Sequence, residues 1–201
     1  GIDRVEEGPH VAYGLNFSSI GPRALRVSGA FGQNYSRDTS PFPDNSGLDT
    51  NFSDYVGRLD FQPSSLLNMS YRFRLAKDEL LFRRSDLNVS AGPRAFRASI
   101  NYTKLSEELP GEDFDEREEI VLGVRVQLLD TLAVAAQTRR DLQANRTVAN
   151  TFGLIYSDSC VVLVMGLEQR QTTRGEIDEE TTFAVRIALK NLGSLETGTG
   201  G

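Results

Sequence analysis

Residues 152–189 read FGLIYSDSCVVLVMGLEQRQTTRGEIDEETTFAVRIAL, and the apolar side chains in them keep a period of two. Phe152, Leu154 and Tyr156 share one parity; after a short break at residues 157–159 come Val161, Leu163, Met165 and Leu167. Beyond a longer polar stretch at 168–180, Thr181, Phe183, Val185, Ile187 and Leu189 resume the alternation. Every second side chain lies on one face of a β-strand, so the segment reads as three antiparallel strands joined by one tight turn and one longer loop.

The same period runs back to the start of the chain. It begins with Val11, Tyr13, Leu15 and Phe17, then Leu25, Val27 and Phe31, then Tyr55, Leu59 and Phe61. Leu67, Met69, Tyr71, Phe73 and Leu75 follow, then Leu87, Val89 and Ala91. The parity switches at Phe96, Ala98, Ile100 and Tyr102, and continues through Ile120 to Leu128 and Leu132 to Ala136. About 11 strands of roughly 9 to 11 residues result, the length that crosses a bilayer when tilted. The connections take turns in length. Short ones sit at 20–22, 62–65, 92–94, 129–131 and 157–159, and longer polar ones at 36–53, 104–118, 139–147 and 168–180, with one tight turn at 76–79. A soluble β-sandwich, the other all-β reading, has no reason to sort its loops this way, whereas an outer-membrane barrel has short periplasmic turns and long outer loops.

The expected fold is therefore all-β, an antiparallel up-and-down transmembrane β-barrel. Residues 1–201 would be the C-terminal part of such a barrel, open or partial when taken alone. The last strand is expected at about 181–189 and residues 190–201 as a periplasmic tail.

Composition narrows function. With 22 Lys+Arg against 28 Asp+Glu, the net charge of −6 offers no basic excess for nucleic acid. The longest apolar stretches, 132–136 and 160–167, fall far short of the roughly 20 residues a spanning helix needs. One His, His10, and one Cys, Cys160, supply neither a zinc set nor an oriented catalytic base, so no enzyme, metal or cofactor is expected. Most of the seven N-x-S/T triplets follow from a strand face rich in Asn and Ser, because residues i and i+2 share that face.

Within the strands, charge is mostly arginine on the parity opposite the apolar one: Arg26, Arg58, Arg72, Arg74, Arg97, Arg125 and Arg186. A charge facing lipid costs roughly 2–4 kcal/mol at the bilayer midplane, so these are expected to face a hydrated lumen that attracts anions. Acids collect in loops, above all at 107–119, EELPGEDFDEREE, whose spacing is not that of a calcium loop.

The segment TFGLIYSDSCVVLVMGLEQRQ, a polar loop, and then TTFAVRIALKNLGS resemble the C-terminal end of the LPS-assembly outer-membrane protein family (LptD, OstA or Imp). The matching residues are Tyr156, Asp158, Ser159 and Cys160, then Phe183, Val185, Ile187, Leu189, Leu192 and Gly193. Residues 53–90 also look like alphaproteobacterial members. The resemblance implies a non-catalytic barrel of the bacterial cell outer membrane that inserts lipopolysaccharide (LPS) into the outer leaflet. The implied partners are LPS, a plug lipoprotein (LptE or an equivalent), periplasmic LPS bridge proteins and outer-membrane lipid. It further implies that Cys160 forms a disulfide to an N-terminal periplasmic domain outside this sequence. The strand carrying Thr181, Phe183, Val185, Ile187 and Leu189 would then be one side of a lateral gate. The alternative from the residues alone is a general outer-membrane porin or transporter barrel passing small solutes.

Overall fold

A computed structural model describes residues 9–22, 25–37, 50–106, 117–174, 176–190 and 193–199. They form twelve strands: β1 (His10–Ile20), β2 (Arg26–Ser36), β3 (Tyr55–Ser64), β4 (Leu67–Leu75), β5 (Phe82–Ala91) and β6 (Phe96–Leu105), followed by β7 (Arg117–Leu129), β8 (Leu132–Asp141), β9 (Arg146–Ser157), β10 (Val161–Arg174), β11 (Glu176–Leu189) and β12 (Gly193–Thr199). They pair in sequence order in one sheet, with β1 and β12 at the two ends of the order, so the sheet is not closed. This is the up-and-down arrangement of a partial β-barrel. By contacts the strands divide into two units, the first with β1–β4 and the second with β8–β12 and nearly all of β7; β5 and β6 are shared between them.

In the first unit, the register puts apolar residues on one face. Val27 pairs with Phe61 and Phe61 with Met69; Leu15 pairs with Phe31; Leu59 pairs with Tyr71. The opposite face carries Asn16, Ala30, Arg58 and Arg72 in one row. Pro63 falls where the β3–β4 register shifts between Phe61 and Ser64, a place where a residue without an N–H costs no ladder bond. The second unit repeats the rule. Val126, Val134, Leu154, Met165 and Val185 form a cross-strand row, and Arg125, Ala135, Gly153, Gly166 and Ala184 form one of the other parity.

Among the described residues no protein layer covers the apolar face. Leu15 is 76% exposed and Phe152 57%, while the buried apolar residues among those described are only Ala76, Ala133 and Ala149. A sandwich would bury such a face against a second sheet. An apolar face of this extent needs a nonaqueous covering.

Three expectations change. The stretch read as a long loop at 168–180 is mostly strand: β10 and β11 pair from Val161↔Leu189 out to Arg174↔Glu176. Its polar residues form cross-strand pairs of their own, such as Arg170 opposite Glu180, so polarity marks strand ends here rather than a loop. The loop at 139–147 likewise shrinks to 142–145, where Asp141 accepts the Ala144 N–H at 2.9 Å. Of the longer connections, 37–54 and 106–116 stay long, and most of each, 38–49 and 107–116, lies outside the described residues. Finally, residues 193–199 are not a free tail, and β11 is not the last strand. β12 pairs with β11 from Leu189↔Gly193 to Phe183↔Thr199, satisfying backbone groups that a terminal β11 would leave open. With Leu195 its one aliphatic side chain, GSLETGT carries too little apolar periodicity to be seen as a strand.

Candidate functional site

The strongest concentration of function-bearing side chains lies on the polar face of β1–β5. Antiparallel pairing makes Arg58 and Arg72 direct neighbours, with Ala30 and Asn16 continuing their row. The adjacent row is Gly14, Gly32, Val56 and Arg74. Gly14 and Gly32 leave the floor low: a Cβ on Gly14 would come within 2.4 Å of the Phe31 carbonyl oxygen, so the backbones approach as only glycine permits. Above this floor opens a groove of about 1120 Å³, with Arg58, Arg72, Arg74 and Arg84 on its walls.

Most of these cations are held by acids. Arg58 makes a two-pronged contact with Asp60, Nε at 2.6 Å and Nη2 at 3.0 Å, and Ser28 Oγ also donates to that carboxylate. Arg84 Nε donates to Asp86 at 2.7 Å, and Thr103 Oγ1 donates to the same carboxylate at 3.0 Å. Asp54 is a buried hub, 2% exposed. It accepts Arg74 Nε at 2.8 Å and the Lys77 backbone N–H at 3.2 Å, and Arg83 Nε lies 3.5 Å away. A carboxylate taken from water this completely requires such partners. Arg72 is exposed and has no hydrogen bond or ion pair among the described residues.

Of the seven arginines expected on the polar parity, the fold thus gathers Arg58, Arg72 and Arg74. The other four are not among the residues that line the groove. Arg26 lies at the turn end of β2 opposite Ile20 and Gln62, and Arg97 Nη2 donates to the Gly92 carbonyl at 3.3 Å. Arg125 sits opposite Ala135, and Arg186 opposite Val164 and at the register position of Glu196. Sequence reasoning missed Asp54, Asp60, Arg83, Arg84 and Asp86. Two of the pairs had a visible signal: in RLD (58–60) and RSD (84–86), opposite charges two residues apart must share a strand face.

A second constellation forms the β9–β10 turn. Asp158 accepts the backbone N–H groups of Cys160 and Val161, both at 2.8 Å, and the Tyr156 hydroxyl at 3.0 Å. The two backbone donors, followed by the hydroxyl, hold the Asp158 carboxyl below the ordinary carboxylate range. Lys190 closes the site from the end of β11: its N–H donates to the Cys160 carbonyl at 2.9 Å and its Nζ donates to the Asp158 carbonyl. The cap leaves Cys160 an exposed, free thiol with Ser159 Oγ 3.6 Å from its sulfur.

The positions expected on the gate strand, Thr181, Phe183, Val185, Ile187 and Leu189, share one face of β11, opposite Gln169, Leu167, Met165, Leu163 and Val161 of β10. His10 is an exposed residue at the start of β1. Most of the acidic segment 107–119 lies outside the described residues; Glu118, within them, accepts the Tyr102 hydroxyl at 2.7 Å. Among the described residues no group of three His, Cys, Asp or Glu is placed to hold a metal.

In a comparison with known protein families, the model of LptD, LPS transport system D, matches residues 1–132. Among curated proteins no match is found.

Proposed function

Since the chain belongs to the LptD family of LPS transport, we propose that it forms part of an outer-membrane barrel that inserts LPS into the outer leaflet, without catalysis of its own. The observation that carries this reading is the two-faced sheet within the family match: exposed Leu15, Phe17 and Leu59 on one side, arginines on the other. Lipid covers the first face; the second lines a hydrated interior that a plug lipoprotein of the LptE kind closes. In this reading Cys160, presented on a rigid turn, bonds to a cysteine of an N-terminal periplasmic domain, which receives LPS from periplasmic bridge proteins.

The gate reading takes in a further strand. β12 has seven residues against fourteen in β11, and it pairs only with Phe183–Leu189. Parting a seam exposes N–H and C=O groups to lipid at several kcal/mol each, so a seam made by a short strand is the one that opens. In this reading the lateral gate keeps the strand carrying Thr181 to Leu189, with β12 paired along its Phe183–Leu189 part.

Depleting the parent protein in cells tests the proposal: newly made LPS should stop reaching the surface, as read by its accessibility to external probes. Normal surface LPS together with steady open channels of the purified protein in planar bilayers would instead favour a solute-conducting porin. For the tether, non-reducing gel mobility of the parent protein should change on Cys160→Ser; unchanged mobility removes it.

A further inference from the structure

The groove on the polar face of β1–β5 has a charge arrangement that its own acids leave incomplete. Arg58, Arg74 and Arg84 each face a carboxylate, those of Asp60, Asp54 and Asp86. Arg72 makes no ion pair among the described residues, and its cross-strand neighbour on β3 is another cation, Arg58. Like charges opposite one another in a sheet repel, so this pair is disfavoured until an anion comes between them. Arg58 is free to contribute, because its pairing with Asp60 is superficial, its side chain 54% exposed. Two adjacent guanidiniums present planar forks of N–H donors, the geometry that grips phosphate or carboxylate oxygens. Beside them Asn16 offers amide hydrogen-bonding groups, and the low Gly14–Gly32 floor leaves room for a ring rather than a lone ion.

We propose that Arg72, with Arg58 beside it, binds a phosphate ester carried on a saccharide, and that this groove is a way-station for the phosphorylated sugar portion of the transported LPS. The inference rests on the LPS-transport reading above and deepens it. Arg72 makes the primary contact, and Arg58 exchanges part of its hold on Asp60 for the ligand. Arg74 is committed to buried Asp54 and shapes the wall.

The test uses the intact parent protein with its co-purifying partner and two probes: labelled LPS, and the same LPS stripped of its phosphates. Arg72→Gln is expected to weaken binding of the phosphorylated probe roughly tenfold, the size of one charge-assisted hydrogen-bonded contact. Arg72→Lys, which keeps the charge and loses the planar fork, should restore only part of the affinity, and neither variant should alter binding of the stripped probe, which also shows that the barrel is folded. Equal affinity of wild type and Arg72→Gln for phosphorylated LPS overturns the proposal. So does an equal loss for both probes, and so does unchanged LPS binding with loss of the co-purifying partner, which would assign the groove to an acidic peptide. If the wild-type protein binds neither probe and its depletion leaves surface LPS normal, the transport reading itself fails; if it binds LPS and only Arg72 proves irrelevant, that reading stands without this site.

Discussion

Strands β2–β4 and β8–β11 obey the same two-residue period but fill it with different side chains. In the first unit the apolar face is aromatic: Phe31 stacks on Tyr55 with ring centroids 5.5 Å apart, and Phe73 meets Tyr71 at 5.7 Å and Phe82 at 6.0 Å. Its polar face is crowded with charge, in the pairs of Arg58, Arg74 and Arg84 with their acids. In the second unit the corresponding apolar row is aliphatic, Val134, Leu154, Met165 and Val185, and a polar-face row is small, Ala135, Gly153, Gly166 and Ala184. Period alone decides which side a residue takes. The residues that occupy those positions decide whether a face holds ions or simply admits another surface.

If charge pairing carries stability chiefly in the first unit, its buried hub gives the largest effect. Asp54→Ala leaves Arg74 and Arg83 without their shared carboxylate and the Lys77 N–H without its acceptor, a loss of roughly 3 kcal/mol. The counterpart in the second unit is Glu119→Gln. There Arg139 is 43% exposed at its side chain and Glu119 14%, and the Arg139 Nε lies 3.2 Å from Glu119 without making a hydrogen bond, so with one partner in water the cost should be smaller, about 1–2 kcal/mol. Urea unfolding of the intact protein in lipid vesicles compares the two. Equal losses would break the contrast.

Glycines sharpen it at the next level down. Gly57 lies under the ring of Phe73, and an added Cβ would sit 2.1 Å from Cζ. That ring is wedged between Tyr71 and Phe82, so Gly57→Ala should cost roughly 1–3 kcal/mol by overpacking. Gly153 has its nearest foreign atoms at 3.8 and 3.9 Å, ordinary contact distances. Gly153→Ala should therefore change stability by no more than about 0.5 kcal/mol in the same unfolding measurement. In Phe73→Leu, where the ring is gone, the penalty of Gly57→Ala should largely vanish; a full penalty there would show that the ring is not its cause.

These contrasts also show what was legible in the sequence. Strand identity and facing came through because apolar parity is a property of single strands, and Arg58 and Arg72 could be assigned a face at once. Their juxtaposition could not, since it depends on the β3–β4 register, which a bulge at Phe61–Ser64 shifts. The Asp54 hub was hidden for a similar reason: it joins residues 54, 74, 77 and 83, which only hairpin closure brings together. β12 was missed because backbone pairing, not side-chain pattern, makes it a strand. The family likeness was read most clearly from residues 151–193, yet the family model matches residues 1–132, so the charged and aromatic first unit lies inside the match and β9–β12 outside it.

The smallest expected effect compares one turn from each unit. Among the described residues the β1–β2 turn is closed by backbone bonds, Gly21 N–H to the Leu25 carbonyl at 2.8 Å and Leu25 N–H to the Pro22 carbonyl at 3.2 Å. The β9–β10 turn is closed by the Asp158 carboxylate, whose pKa is depressed mainly by the Val161 and Cys160 N–H groups it accepts. A depressed folded-state pKa means that the carboxylate's contribution is fully present above the ordinary carboxylate value, near about 4, and is lost as pH falls through the depressed value. Hydrogen exchange at Cys160 and Val161, corrected for intrinsic rates, should accordingly lose protection only in that acid range, while Leu25 stays flat across it. Asp158→Asn should remove the transition and leave both amides less protected at every pH. Loss of protection at Leu25 in step with Cys160 would mean that acid loosens the sheet as a whole, and that the carboxylate cap does not set this turn apart.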